Sequence, residues 1–388
     1  MSGNLVLGMQ KDEDERWMQA ALQLASTGQG AVEPNPMVGC VIVNSNGEKI
    51  GEGFHQCFGE SHAERNAIAN CIERGNGAEL AGCTFYVTLE PCCHQGKTPP
   101  CTDAIIEAKA RRVVVAVSDP FPQVNGGGLN ELDGAGIEIT TGVLETQARS
   151  LNAPFFRVQE TGLPWVIAKW AMTIDGRIAT KDGASKWISC SQSRERVQVL
   201  RGRVDAVVVG IGTALADDPR LTARCEAPLR TALRVVMDAE ARLPLDSALV
   251  KTACEVPTLV MATEEADASR VAHLRSAGVG VHISQERIRE DRLREQLRYL
   301  VAERQVTNLL CEGGGKLLGS LNDADLIDEA HIFIAPKLMG GAGALSPVLG
   351  SGSGEMAECR EFTLESREKL QEDSLLVLRR KRVQSSSL

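Results

Sequence analysis

The sequence lacks the features that would mark it as a membrane protein or a nucleic-acid-binding protein. None of its 388 residues lies in an apolar run of about 18, the length that a transmembrane helix needs. The chain has fewer basic than acidic residues, with 42 Lys and Arg, 51 Asp and Glu, and a net charge of −9. Nucleic-acid surfaces need basic side chains to neutralise phosphates. We therefore expect small-molecule partners, with no nucleic acid and no membrane.

Signals for secretion and for a disulfide framework are also missing. The N-terminal segment MSGNLVLGMQKDEDE lacks the basic stretch followed by an apolar stretch that makes a signal peptide. The twelve cysteines are scattered over a long chain rather than crowded into a short one, which favours free thiols with a metal-binding or catalytic subset. We therefore expect a soluble, cytoplasmic protein.

The hydrophobic patterns that are present indicate an α/β protein. Residues 13–27 place apolar side chains at helical spacing, and a second helical segment starts at Ser61. Strand patterns surround the turn signal Asn46-Gly47. Two more strand patterns, CTFYVTLE and RRVVVAVS, are separated by a short helix beyond Cys101. This alternation is typical of a layered α/β sheet.

Length and a break in the pattern divide the chain into two predicted domains. A chain of 388 residues exceeds what one hydrophobic core usually serves. A new α/β alternation begins with WVIAKWAMT and continues through AHIFIAP, almost to the C-terminus. An irregular segment at 146–164 lies between the two patterns, and we place the boundary there. The predicted domains are residues 1–150 and 151–388.

The segment LEPCCHQGKTPPC, residues 89–101, packs three cysteines and a histidine into a short rigid stretch. Zinc takes three or four such ligands in a tetrahedral arrangement, so a complete site needs a donor from elsewhere. His62 opens the helical segment HAERNAI, and Glu64 follows two residues later. A His-x-Glu followed by Pro-Cys and a later cysteine is the arrangement of the zinc-dependent deaminases.

The chemistry of deamination explains these residue types. Two thiolates and one imidazole leave one tetrahedral position of zinc to water, whose pKa falls to about 7. The reaction then needs a carboxylate that carries the proton from water to the ring nitrogen and on to the departing ammonia. Because His62 and Glu64 both lie in the first helical turn, ligand and proton carrier can face one cavity.

Each of these residues also has a structural interpretation. Ser61 and Glu64 match a capping box, in which the glutamate only bonds the helix N-terminus. The cysteines could instead hold a structural zinc, with Cys93 or His94 as the fourth ligand. The usual deaminase signature closes with C-x-x-C, whereas here eight residues separate Cys92 from Cys101. The joint occurrence of these residues favours the deaminase interpretation.

Longer motifs resemble a known family. PNPMVGCVIV at 34–43, HAE at 62–64 and PCCHQGKTPPC at 91–101 are similar to the deaminase half of the bifunctional riboflavin-biosynthesis deaminase/reductases. The resemblance implies a cytidine-deaminase-like three-layer domain with one zinc ion. It also implies that Asn35 contacts the pyrimidine and that Glu64 carries the proton. The implied zinc ligands are His62, Cys92 and Cys101. SDPFPQVNGGG departs from the family pattern at Phe121, so no contacts are assigned in that loop.

The second half resembles the reductase of the same family, whose fold is like that of dihydrofolate reductase. The matching segments are KWAMTIDGRIATKDGASKWI at 169–188 and LRGRVDAVVVGIGTALADDPRLTAR at 200–224. Glycine-rich turns at 210–213 and 313–315 suit a phosphate, although neither satisfies the dinucleotide fingerprint G-x-G-x-x-G. The resemblance implies NADPH contacts at Ala171, Trp187, Thr213, Asp217, Gly314, Gly315, Lys316, Leu317, Leu318, Gly319 and Ser320.

The same resemblance implies a set of contacts to a phosphoribosyl substrate, namely Ser185, Arg201, Leu221, Arg224 and Glu312. The two arginines make physical sense because guanidinium groups grip phosphate. Trp187 could otherwise be a core residue, and Asp217 a helix or turn cap. We expect a bifunctional enzyme that deaminates 2,5-diamino-6-(phosphoribosylamino)pyrimidinone and then reduces the ribosyl group with NADPH. We further expect a homo-oligomer, either a dimer or a tetramer.

Phosphate recognition in the deaminase half is predicted from the segment HQGKTPP between the two cysteine ligands. Its Lys97 would bind the substrate phosphate, with His55 assisting, although a solvated loop lysine is the commoner case. Two rival functions remain open at this point. A nucleoside or tRNA deaminase would share the zinc site but would leave the second half unexplained. A non-catalytic module with a structural zinc would need a fourth protein ligand.

Overall fold

The computed structural model describes residues 2–96, 99–120 and 126–382, with side chains from residue 10 onward. The chain forms two compact units, Met1–Thr161 and Gly162–Leu388. Within the described residues, no helix has the length and apolar character to cross a membrane.

The first unit alternates strands and helices as the sequence predicts. Its strands are Gly39–Val43 (β1), Lys49–Phe54 (β2), Thr84–Val87 (β3), Arg112–Val115 (β4) and Glu138–Thr141 (β5). Its helices are Ser2–Ser26 (α1), Ala63–Glu73 (α2), Cys101–Glu107 (α3), Gly127–Gly134 (α4), Glu145–Leu151 (α5) and Ala153–Thr161 (α6), with a 3₁₀ turn at Gly77–Leu80.

The five strands form one sheet in the order β2-β1-β3-β4-β5. Strand β1 is antiparallel to β2 and β3, whereas β3, β4 and β5 are parallel. One face of the sheet packs against α2, α3 and α4, and the other face packs against α1, α5 and α6. This is the predicted three-layer domain. The pairing brings the start of β1, the end of β2 and the carboxyl ends of β3 and β4 to one edge of the sheet.

A buried ion pair fastens α1 to this sheet. Asp14 accepts hydrogen bonds of 2.8 Å from both terminal nitrogens of Arg112, and the Tyr86 hydroxyl donates to the same carboxylate at 3.0 Å. Asp14 is 4% exposed and Arg112 is 6% exposed. The Asp14 carboxylate raises the pKa of the arginine. Removing one member of such a pair leaves the other charge buried without its counter-ion, which is costly.

We expect Asp14→Ala to lower the free energy of unfolding of the first unit by about 3–5 kcal/mol, because Arg112 keeps its charge in a buried position. Urea unfolding followed through deaminase activity measures this loss. Glu15→Ala is the matched control, since Glu15 pairs with Lys11 at 3.8 Å on the exposed side of the same helix. Its effect should stay below about 1 kcal/mol. Equal urea midpoints for the two variants would contradict the role of Asp14 as the buried counter-ion of Arg112.

The second unit contains a larger α/β arrangement. Its strands are Trp165–Thr173 (β6), Ala206–Gly210 (β7), Leu233–Met237 (β8), Thr258–Thr263 (β9), Gly280–Ser284 (β10), Asn308–Cys311 (β11), Glu329–Ala335 (β12), Phe362–Leu370 (β13) and Asp373–Arg380 (β14). Its helices are Ser191–Arg201 (α7), Ile211–Asp217 (α8), Ala248–Lys251 (α9), Ala268–Ser276 (α10), Arg289–Arg304 (α11) and Gly315–Asp323 (α12), with a 3₁₀ turn at Met356–Glu358.

These strands form one sheet in the order β10-β9-β8-β7-β11-β6-β12-β14-β13. The strands from β10 to β12 are parallel, and β14 and β13 add antiparallel pairs at one end. Leucines of α11 and α12 pack on β7, β8, β9 and β11 to form the main core. Ligands of open parallel sheets bind beyond the carboxyl ends of the strands. The turns after β7 and β11 therefore lie at the expected ligand-binding edge.

The segment 146–164, predicted to be irregular, is helical instead. It contains most of α5 and all of α6, and both belong to the first unit. Pro154 is the second residue of α6, a position where its missing N–H costs nothing. Between the two helices, the buried Asn152 side chain accepts from the Met37 N–H and donates to the Met37 carbonyl, each at 2.8 Å.

This contact predicts where the chain can be divided. A fragment of residues 1–161 should retain zinc and deaminate. A fragment of residues 1–150 should lose at least ten-fold in activity or fail to fold, because it lacks Asn152 and α6, whose Phe156 is 4% exposed in the core. Ammonia release and zinc content of the two fragments provide the comparison. Full activity in the shorter fragment would show that α6 is dispensable.

Candidate active sites

Three side chains of the first unit form a cluster suited to a metal ion. The ligand atoms of His62, Cys92 and Cys101 lie within 4.8 Å of one another. The Nδ1 atom of His62 is 3.4 Å from the Cys92 sulfur and 3.5 Å from the Cys101 sulfur. In tetrahedral zinc sites, Zn–S distances near 2.3 Å and Zn–N distances near 2.0 Å place the sulfur and nitrogen about 3.5 Å apart. The donor types and their spacing therefore both fit zinc.

Helix starts and one backbone contact place the three ligands. His62 is the N-cap residue of α2, and Cys101 is the first residue of α3. The carbonyl of Cys92, in the loop after β3, accepts from the Cys101 N–H at 3.0 Å. The segment between the two cysteines therefore closes back on itself. This contact explains how a spacing longer than C-x-x-C still brings both sulfurs to one point.

Glu64 lies beside this cluster and is not a helix cap. Residue 62, not Ser61, is the N-cap of α2, and no side-chain cap hydrogen bond is made there. The capping-box interpretation is therefore wrong. Glu64 is 3% exposed, and burial raises the pKa of its carboxyl. It forms a hydrogen bond with the Cys101 side chain, which places the carboxyl next to a ligand sulfur.

A shared hydrogen bond moves the pKa values of the two cysteines in opposite directions. The hydrogen bond with Cys101 lowers the pKa of Cys92 to about 4, and the same bond raises the pKa of Cys101. A thiolate next to a thiol and an imidazole is a donor set that attracts a cation, because metal binding needs deprotonated sulfur.

Cys93 lies outside this cluster. A side chain added at Gly127 would approach the Cys93 sulfur within 3.0 Å, so this thiol faces the start of α4. Within the described ranges, the metal-ligating group contains neither Cys93 nor His94. Among the residues that the structure describes, this cluster therefore offers three protein ligands, as a catalytic zinc site requires, and not the fourth that a structural site needs.

Asn35 and His55 lie at the same edge of the sheet. The Asn35 amide nitrogen is 3.2 Å from Nε2 of His55, whose Nδ1 is 3.1 Å from the Ser61 carbonyl. The His55 ring is 5.3 Å from the His62 ring. His55 is 3% exposed, and burial lowers its pKa. Because the His55 ring is buried and both of its nitrogens contact protein groups, it leaves little room for the predicted phosphate contact, and its Nε2 holds the Asn35 amide.

Lys97, the other predicted phosphate contact, lies outside the described residues, as does Phe121. The flanks of the loop that contains Phe121 are described, and Glu90 holds both of them. Its carboxylate accepts from the backbone N–H groups of Asp119, Gly126 and Gly128 at 3.1–3.2 Å. Sequence reasoning did not single out Glu90.

In the second unit, a buried charged cluster lies at the carboxyl end of β11, beside Lys169 in the middle of β6. Glu312 accepts from Arg201 at 2.5 Å and 3.0 Å, and Lys169 donates to it at 3.2 Å. Burial alone would raise the pKa of the Glu312 carboxyl. The charges of Lys169 and Arg201 outweigh this effect and lower its pKa to about 2. Arg201 and Glu312, predicted as substrate contacts, therefore bind each other. Lys169 was not predicted, because a lysine in a strand carries no motif.

The two glycine-rich turns meet each other. The Thr213 hydroxyl accepts from the Gly314 N–H at 2.9 Å, and a side chain at Gly313 would come within 2.9 Å of the Gly210 nitrogen. Gly313 therefore permits the close approach of the turns after β7 and β11. Both turns lie at the carboxyl edge where a dinucleotide is expected.

Several residues of the segment 314–320, which is predicted to line the NADPH site, are buried within the protein. Leu317 and Leu318 belong to the hydrophobic core. A side chain at Gly319 would clash with the Leu349 carbonyl, so this face of α12 is covered by the loop around residue 349. Lys316 is exposed. Six of these seven residues are helical, and they cannot all face one ligand, because a helix turns through a full circle in 3.6 residues.

The remaining predicted contacts differ in exposure. Trp187 is 67% exposed, and the guanidinium carbon of Arg194 lies 4.8 Å from the centre of its ring. The alternative that Trp187 is a core residue is therefore wrong. Leu221 is 2% exposed, which leaves little of it to contact a substrate. The exposed residues are Ser185, Asp217 and Arg224, and Ala171 and Thr213 are half-buried.

Comparisons with known proteins decide between the candidate functions. The family model "RibD C-terminal domain" matches residues 164–376, and "Cytidine and deoxycytidylate deaminase zinc-binding region" matches residues 11–117. Riboflavin biosynthesis protein RibD of Actinobacillus pleuropneumoniae is 43% identical over 363 residues, which cover 94% of each chain. This chain belongs to the RibD family. RibD of Escherichia coli strain K12 is 38% identical over 84% of this chain and 89% of its own length.

Solved structures of RibD proteins match nearly the whole chain. Acinetobacter baumannii RibD has a TM-score of 0.82 and 35% identity, covering 96% of this chain and 100% of its own. A Thermotoga maritima diaminohydroxyphosphoribosylaminopyrimidine deaminase/5-amino-6-(5-phosphoribosylamino)uracil reductase has a TM-score of 0.81 and 34% identity with the same coverage. As a RibD-family member, this chain is a bifunctional deaminase and reductase of riboflavin biosynthesis, with a zinc-binding deaminase domain. The predictions of family, fold class and enzyme type are confirmed.

Proposed function

We propose that the first unit deaminates 2,5-diamino-6-(5-phosphoribosylamino)pyrimidin-4(3H)-one and that the second reduces the resulting 5-amino-6-(5-phosphoribosylamino)uracil with NADPH. The observation that carries this proposal is the three-ligand cluster with a buried carboxylate beside it, on a chain that also has a complete reductase domain. The Thermotoga relative has both activities in its name.

In the first unit, His62, Cys92 and Cys101 would hold zinc. Bound there, zinc supplies the Lewis acid that brings the pKa of water to about 7. Glu64 takes the proton of the attacking water and delivers it to the ring nitrogen, and it then carries a second proton, from the hydroxyl group added to the ring, to the departing amino group. Its burial beside the ligands limits exchange of that proton with bulk water. Asn35, held by His55, would bind the edge of the pyrimidine ring.

In the second unit, the turns after β7 and β11 would bind the pyrophosphate of NADPH, which supplies the hydride. The reduction also needs a proton for the sugar oxygen that carbon C1 releases. In the cluster at Glu312, the arginine does not deprotonate and the glutamate is ionised, because its pKa is about 2. Lys169 is the remaining hydrogen-bond donor of this cluster, so we assign it the delivery of this proton. Arg224, which is exposed, would bind the ribose phosphate.

Each activity can be tested on its own substrate. With the diamino compound and no NADPH, the purified chain should release ammonia and yield the uracil. With the uracil compound, it should oxidise NADPH even after zinc is removed by a chelator. A chain that releases ammonia from cytidine but not from the phosphoribosyl pyrimidine would contradict the proposed substrate. Oxidation of NADPH that stops when zinc is removed would contradict the assignment of the two reactions to separate units.

Lys97 remains the proposed contact to the substrate phosphate in the deaminase. We expect Lys97→Ala to keep zinc and to lose about 1.5–3 kcal/mol in kcat/KM for the phosphorylated substrate, the range for a hydrogen bond to a charged group. The dephosphorylated analogue should respond little. An equal loss with both compounds would rule out the phosphate contact.

A further inference from the structure

Helix α4 of the first unit begins without a cap of its own. Its N-cap residue is Gly126, which has no side chain, and the first two helical residues are also glycines. The first N–H groups of a helix have no partner within the helix, so they need an acceptor from outside it. The group that caps α4 must therefore come from another segment.

Glu90, in the loop after β3, supplies this acceptor. One of its carboxylate oxygens accepts from the N–H groups of Gly128 at 3.1 Å and Leu129 at 3.4 Å. The other accepts from Gly126 at 3.1 Å and Asp119 at 3.2 Å. The Glu90 side chain is 3% exposed, and a carboxylate is favoured at a helix N-terminus because the helix dipole is positive there. Glu90 therefore fixes the start of α4 to the loop that carries the first cysteine ligand.

The same helix contacts the neighbours of both cysteine ligands. A side chain at Gly128 would collide with the carbonyl oxygen of Pro91, so the backbone of α4 lies against the peptide that joins Pro91 to the first cysteine ligand. Thr102, the residue after the second cysteine ligand, is fully buried and donates its hydroxyl hydrogen to Glu131 at 2.8 Å. One short helix therefore holds the backbone on the outer side of each cysteine.

We propose that Glu90 is a positioning residue of the zinc site, which fixes the two cysteine ligands by holding their segments against α4. The inference rests on the proposed ligand set. The metal-ligating group of the described residues does not include Glu90, so it would act through the cysteine backbone. Such outer groups matter, because Cys92 lies in a loop and residues behind metal ligands commonly set the affinity for the metal.

Zinc binding to the full chain, first stripped of metal, tests this role. Glu90→Gln keeps the size of the side chain, but its NH₂ group is a donor where two backbone N–H groups need an acceptor. The dissociation constant of zinc, measured against a competing chelator, should rise about 10–100-fold. The cobalt(II) form should lose intensity in the visible absorption that depends on thiolate ligands. Neither readout requires turnover, and NADPH-dependent reduction of the uracil substrate should not change.

Two glycine variants separate ligand positioning from helix stability. Gly128→Ala places a methyl group against the Pro91 carbonyl, so it should weaken zinc binding as Glu90→Gln does, although alanine is the better helix former. Gly134→Ala is the matched control at the other end of α4, where an added side chain meets nothing within 4 Å. It should bind zinc like the wild type.

The outcomes separate this inference from the ligand set on which it rests. Wild-type zinc affinity in both Glu90→Gln and Gly128→Ala would overturn the positioning role. An equal loss of affinity in Gly134→Ala would also overturn it, because the effect would then follow any change in the helix. A wild-type chain that binds no zinc would instead refute the ligand set.

Discussion

Replacing Glu64 with glutamine is expected to abolish ammonia release, with a loss of at least about 10²–10⁴-fold in kcat, the range for a general acid–base group. Glutamine has the same shape as glutamate, so it leaves no void at this position, where the side chain is only 3% exposed. It cannot carry a proton. Zinc content and NADPH-dependent reduction of the uracil substrate should be unchanged. Ammonia release, metal analysis and NADPH oxidation on one preparation provide the three readouts.

Glu73→Gln is the control for this variant, since Glu73 is exposed at the other end of α2. It should deaminate at the wild-type rate. Substantial activity in Glu64→Gln with zinc in place would show that another group moves the proton. Loss of zinc in the same variant would give Glu64 a role in metal binding rather than in proton transfer.

Cys101→Ser is expected to cost the protein its zinc and, with it, deamination. A serine hydroxyl is a neutral oxygen ligand where zinc prefers thiolate, and Cys101 is fully buried, so water does not readily replace the lost ligand. The paired variant Cys93→Ser should keep both zinc and activity, because its sulfur faces Gly127 rather than the cluster. Metal content after dialysis, with reductase activity as the folding control, measures the difference.

If Cys101→Ser retained zinc and Cys93→Ser lost it, Cys93 would be the zinc ligand in place of Cys101. Loss of zinc by both variants would indicate that the segment between Cys92 and Cys101 must be intact for the site to form at all. The structure predicts neither result.

The zinc cluster and the layer order were predictable from sequence because local patterns determine them. His62 and Glu64 share one helical turn, and Cys101 starts a helix after two prolines, so short-range geometry already limits where their side chains can point. The strands were predictable for the same reason, since β6 covers the same nine residues as the pattern WVIAKWAMT.

Contacts between distant segments could not be predicted in this way. Asn152 is 115 positions from Met37, and Lys169 is 143 positions from Glu312. Each is an ordinary polar residue whose partner is decided by strand order rather than by spacing. The sequence also could not show that Leu317 and Leu318, within the predicted cofactor segment, pack into the hydrophobic core.

The measurement that tests the central claim most directly follows ammonia and NADPH together on one purified sample supplied with the diamino pyrimidine. If one chain performs both reactions in the proposed order, one ammonia is released and one NADPH is oxidised for each substrate consumed, and NADPH oxidation starts after a lag. Glu64→Gln should then oxidise NADPH only when the deaminated uracil is supplied. Oxidation of NADPH by that variant from the diamino compound itself, with no ammonia released, would contradict the account.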